Sequence, residues 1–118
     1  MSTLRNAAFA ALALPALAFA SGAQAHAHLV TSSPAKDAAV AAPATIHLEF
    51  SEGLEPKFST ATLMTTAGAA VPVTAKVEGK AIDATPKQKL APGAYMVMWK
   101  VVSSDGHKMS GDYNFTVK

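Results

Sequence analysis

Ala94-Tyr95-Met96-Val97-Met98-Trp99-Lys100-Val101-Val102 is the stretch on which the fold class turns. It is rich in β-branched and aromatic side chains and is bounded by Pro92-Gly93 before and Ser103-Ser104 after, so it reads as one long strand. A period of two sets Tyr95, Val97, Trp99 and Val101 on one face and Met96, Met98, Lys100 and Val102 on the other. The first set holds two large aromatics and is the predicted core face.

Working outward, Asp112 to Val117 alternates in the same way, with Tyr113, Phe115 and Val117 inward. Thr45 to Phe50 does so too: Ile46, Leu48 and Phe50 point one way, and His47, expected to be a solvated strand histidine, points the other way with Glu49. Weaker strands are expected at His26 to Thr31, with Leu29 or Val30 inward, at Thr60 to Thr65, and at Ala70 to Val77, where Pro72 marks an edge or a bulge. Ser32 to Asp37 reads as a turn, Ala38 to Pro43 as an extended surface passage, and Leu54 to Phe58 as a connection with room for one helical turn. Ala81 to Lys89 is polar and weakly patterned, and Ser103 to Gly111 is read as a loop between two strands. Many short strands with Gly, Pro and Asx turns, and no helical period, predict an all-β sandwich or barrel of about seven strands.

Residues 1–25 fall outside that domain. Arg5 precedes an apolar run from Ala7 to Ala20, and Ala23-Gln24-Ala25 offers a small-x-small cleavage site, with a second one at Ala18-Phe19-Ala20. This is the layout of a secretory signal, and the run is too short for a stable membrane span. Cleavage before His26 removes 25 of the 118 residues and leaves a mature domain of 93, residues 26–118. The chain has no cysteine, which excludes thiolate sites, thiol nucleophiles and disulfides. A nearly neutral domain without a basic cluster gives no support to nucleic-acid binding.

The chemistry concentrates at the two ends. Cleavage before His26 gives that residue a free amine, which can chelate a metal together with its own imidazole. Asp105-Gly106-His107 puts a carboxylate and an imidazole two residues apart, sharing a face if the segment is extended, and Gly106 permits close approach of another part of the chain. His26 and His107 as nitrogen donors, with Asp105 as an axial oxygen or a neutralising charge, make a Cu(II) site if the fold joins the ends. Zinc fits the same groups. Glu52, at a strand end, is a candidate to orient a ligand or a bound water, or an exposed turn residue. A competing site lies within three residues: the amine, two backbone amides and His28 form a planar four-nitrogen set that needs no fold. Met96 and Met98 are either thioether ligands for Cu(I) or apolar filler, and Met64 and Met109 stand alone.

His26-Ala27-His28-Leu29-Val30, Ser33-Pro34-Ala35, Phe50-Ser51-Glu52, Leu90-Ala91-Pro92-Gly93, Trp99 to His107 and Gly111 together resemble the CopC/PcoC copper resistance family, over essentially the whole mature chain. The resemblance implies a periplasmic, seven-stranded Greek-key β-sandwich, immunoglobulin-like or cupredoxin-like. It also implies a Cu(II) site matching His26, Asp105 and His107, with Glu52 matching an acid near it. A role in copper sequestration, transport or homeostasis and handover to an inner-membrane permease of the CopD type come from the same resemblance. Some members carry a methionine-rich Cu(I) loop. Here Met64 to Lys80 has one methionine and no histidine, so the resemblance points to a Cu(II)-only type. The protein is expected to be monomeric and not an enzyme. The alternatives are a histidine-brace copper oxygenase, which lacks an aromatic platform for a polysaccharide here, and a metal-free structural sandwich.

Overall fold

A computed structural model describes residues 27–118. The expected signal segment and its cleavage point lie outside them. The described chain forms nine strands and one 3-10 turn: β1 Leu29–Ser33, β2 Ala39–Val40, β3 Ile46–Phe50, the turn Pro56–Phe58, β4 Thr60–Thr65, β5 Ala70–Val71, β6 Val73–Glu78, β7 Ala81–Pro86, β8 Gly93–Val102 and β9 Lys108–Val117. They build two facing sheets, one ordered β1-β3-β7-β6 and the other β2-β9-β8-β4-β5. The fold is an all-β sandwich of four and five strands. Two of its strands, β2 and β5, are only two residues long, so the strand count exceeds the expected seven.

Alternation fixes which side of each strand faces the core. Ile46, Leu48 and Phe50 of β3, Val97 and Val101 of β8 and Phe115 of β9 are almost fully buried between the sheets. Burying each such side chain is worth roughly 1.5–3 kcal/mol, and a chain without disulfides depends on that sum. Trp99 lies edge-on to Phe50 with ring centroids 6.0 Å apart, and Tyr95 stacks on Phe115 at 5.6 Å. Opposite Trp99 in the β8–β9 register stands Gly111, where an added Cβ would lie 2.4 Å from the indole. That close approach requires glycine.

Four expectations are corrected. Ala81–Pro86 is an inner strand of the four-stranded sheet, flanked by β3 and β6, with Ile82 and Ala84 buried. Its alternation was hidden because alanine stands at both inward and outward positions. The passage around Ala38–Pro43 contains β2, which pairs parallel with the end of β9. In β1, Ser32 and Ser33 extend the strand that was expected to have ended, while Val30 points out, 57% exposed. Finally, β9 begins at Lys108, which shortens the late loop to Ser103–His107. Pro72 falls between β5 and β6, where the chain passes from one sheet to the other.

Candidate metal centre

The late loop is a closed hairpin end. Val102 pairs with Lys108, the Ser103 amide donates to the His107 carbonyl at 2.9 Å, and the Gly106 amide donates to the Ser103 carbonyl at 2.8 Å. Gly106 has φ 92°, a region that side-chain-bearing residues rarely occupy. Among the described residues a Cβ there would meet nothing within 4 Å, so it is the turn, and no close approach of a described segment, that requires this glycine. The segment is a turn and not extended, yet it still brings the predicted pair together: His107 Nδ1 lies 3.0 Å from an Asp105 carboxylate oxygen.

That carboxylate is itself anchored. The Ser103 hydroxyl donates to Asp105 Oδ1, and the His107 amide reaches the same oxygen at 3.4 Å. The Ser103 hydroxyl and, after it, the His107 ring hold the Asp105 carboxyl down at about 2, against an ordinary 3.8. Its contribution to loop order is therefore present above pH 3.8 and is lost as the pH falls towards 2. With Nδ1 directed to a carboxylate, a metal would meet the ring at Nε2, the arrangement in which a second partner fixes tautomer and orientation.

The start of the described chain reaches the same end of the sandwich. The His28 amide donates to Ser51 Oγ at 3.0 Å, the Ser51 amide donates to the His28 carbonyl at 2.9 Å, and Ala27 is completely buried. His28 Nδ1 also lies 3.2 Å from Ser51 Oγ. Two residues on, the Ser104 amide donates to the Gly53 carbonyl at 2.9 Å, and Leu54 bridges to Ser103. The bend at residues 51–54 is thus bonded to the N-terminal segment through Ser51 and to the late hairpin through Gly53 and Leu54. Glu52 lies between those two attachments, half-buried.

His26 lies outside the described residues. Among the described residues no group of three or more His, Cys, Asp or Glu is gathered closely enough to hold a metal ion. Asp105 and His107 are brought together, whereas His47 is not part of this end: its ring lies on the outer face of the four-stranded sheet, 2.6 Å from Asp83 and 3.3 Å from Glu49. Two residues had no role in the sequence reading. Ser103 is fully buried and anchors Asp105, and Ser51 ties down His28. Ser103 was detectable in principle, because it continues the inward series Tyr95, Val97, Trp99, Val101 as a hydroxyl at the end of an apolar row.

The fold and the site together define a small two-sheet β-sandwich whose late hairpin carries a histidine–carboxylate pair and is linked through residues 51–54 to the N-terminal segment. The chain belongs to the CopC family: the CopC domain model matches residues 29–118. It is similar to Copper resistance protein C of Escherichia coli, with 44% identity over 106 residues covering 81% of this chain and 84% of that one. Among solved structures it is similar to PcoC, a methionine-rich copper resistance protein from Escherichia coli, with TM-score 0.72, 40% identity and coverage of 80% of this chain and 100% of that one. It is also similar to CopC from Methylosinus trichosporium OB3b, with TM-score 0.74, 36% identity and coverage of 79% and 94%. Family membership carries a general copper-handling role and implies a periplasmic location, and the chain is not an enzyme. No described helix is long and apolar enough to cross a membrane.

Proposed function

We propose that the mature chain, residues 26–118, binds Cu(II) in the periplasm for sequestration or transport and hands it to an inner-membrane permease of the CopD type. The amine and imidazole of His26 and the imidazole of His107 are the nitrogen donors. Asp105 keeps the His107 ring oriented and sets a negative charge beside the ion. The observation that carries this reading is the Asp105–His107 pair in a hairpin bonded to the bend at residues 51–54, which is bonded in turn to His28. Nitrogen-rich ligation favours Cu(II), which binds at the top of the divalent order.

The planar alternative loses support from the same end of the molecule. It would deprotonate the His28 amide and move it onto copper, yet that amide donates to Ser51 at 3.0 Å beside a fully buried Ala27. The methionine-rich loop of some relatives has no counterpart in Met64 to Lys80, which has one methionine and no histidine. That supports a type lacking the methionine-rich Cu(I) loop.

The test is electron paramagnetic resonance of the mature protein with one equivalent of Cu(II), for wild type and His107→Ala. A changed copper spectrum on loss of His107 is expected. Superimposable spectra with four equatorial nitrogens in both would move the metal to the amine, amides and His28 and overturn the reading.

A further inference from the structure

The outer face of the five-stranded sheet breaks the rule that its inner face obeys. Leu63 of β4 and Tyr95 and Val97 of β8 are buried in the core, so Met64, Met96 and Met98 point away from it. An antiparallel sheet with one open face carries polar residues there. Thr60, Thr62, Lys100, Ser110, Asp112 and Asn114 conform, and the three methionines in their midst do not.

Register turns these methionines into a cluster. Met64, which stands alone in sequence, is the direct cross-strand partner of Met96, and Met98 follows Met96 on the same face, opposite Thr62. Cross-strand partners hold their Cβ atoms about 4.5–5.5 Å apart, with diagonal neighbours at about 7–8 Å. Methionine side chains have three rotatable bonds, so all three sulfurs can converge on one ion from these positions. The flanking partners of the Met64–Met96 row are Ala70 and Asn114, both small or neutral, and those of Met98 are Thr62 and Asp112. The nearest cation on the face is Lys100, one row further along β8. All three methionines are half-buried and so remain open to solvent.

We infer that Met64, Met96 and Met98 form a thioether site for a soft monovalent cation, Cu(I) in a copper-handling chain, on the outer face of the five-stranded sheet. Thioethers are neutral, soft donors that favour Cu(I) over Cu(II). The site shares no residue with the Cu(II) centre proposed above and stands or falls independently of it.

The experiment is an anaerobic titration of the mature protein with Cu(I), in ascorbate and in competition with bicinchoninate, followed by copper-edge X-ray absorption. Wild type is expected to withdraw about one equivalent with sulfur-dominated scattering. Met96→Leu is expected to weaken it by about tenfold or more. Met64→Leu/Met96→Leu/Met98→Leu should abolish it, while His107→Ala leaves it intact. Leucine keeps the apolar area, so a face used only for packing against another molecule would leave Cu(I) binding equal in wild type and triple variant, which overturns the site. If the triple variant loses its native circular dichroism, Ag(I) added to wild type decides the matter through the methionine methyl resonances. Shifts at Met64, Met96 and Met98 without Met109 support the site; no shifts, or equal shifts at Met109, overturn it.

Discussion

Two histidines of this chain each meet a carboxylate through Nδ1, and the two carboxylates are held in different ways. His47, in the middle of β3, is 2.6 Å from Asp83 across the sheet and 3.3 Å from Glu49 through its other ring nitrogen. His107, in the hairpin end, meets Asp105 at 3.0 Å. Exposure does not separate them, with side chains 41% and 48% accessible. What differs is how the carboxylate that meets Nδ1 is itself held. Both nitrogens of His47 face carboxylates supplied by regular sheet positions, an arrangement that favours imidazolium. Asp105 is instead locked by the buried Ser103 hydroxyl inside a turn, so the carboxylate that meets His107 Nδ1 is itself held in place. A histidine–carboxylate pair is suited to ligation when the carboxylate is itself positioned, because the ring orientation is then fixed.

The strongest way to break this comparison is to exchange the losses. His107→Ala should weaken Cu(II) binding by more than about 100-fold, beyond the range seen when a ligand's supporting partner is removed. His47→Ala should leave the affinity unchanged, measured for both by competition with a chelator of known affinity. Equal losses would mean that the two pairs do not differ in kind. A smaller effect sharpens the comparison. Ser103→Ala leaves every proposed donor in place and removes the anchor on Asp105 together with a 3.4 Å contact to the His107 carbonyl, so Cu(II) affinity should fall by roughly 10–100-fold. Affinity that stays at the wild-type level while the fold is retained would show that the turn backbone alone orients His107.

How much of this was readable beforehand depended on the kind of contact involved. The long alternating strands were legible because their period and their burial coincide: Tyr95, Val97 and Val101, then Tyr113, Phe115 and Val117, all point inward as expected. Ala81–Pro86 was not, because small residues on both faces erase the contrast that alternation needs. Asp105 and His107 could be picked as a pair from spacing, but the turn that joins them depends on the left-handed backbone at Gly106 and on hydrogen bonds from Ser103. The link between Ser51 and His28, and that between Gly53 and Ser104, join residues remote in sequence. Local pattern carries no information about such links. The same holds for Met64 and Met96, which are neighbours only through strand register.

The smallest expected effect concerns the other member of the comparison. Hydrogen bonding to Asp83, and then to Glu49, raises the His47 pKa above 6.5 and outweighs the opposing desolvation. Of the groups facing it, Ser33 on β1 is neutral, and Lys76, beyond Asp83 on β6, has its own partner in Glu78 at 3.8 Å. The sign follows from linkage: the folded chain holds the proton more tightly than the unfolded chain, so the stabilisation is complete below pH 6.5 and is lost as the pH rises through the raised value. Because the pair is substantially open to water, the amount is on the order of a few tenths of a kcal/mol. Denaturant unfolding at several pH values above and below 6.5 should show wild type losing that increment where His47→Gln does not. A His47→Gln protein with the same pH dependence as wild type would show that the two carboxylates do not hold the proton on His47, and the contrast with His107 would then rest on position in the fold alone.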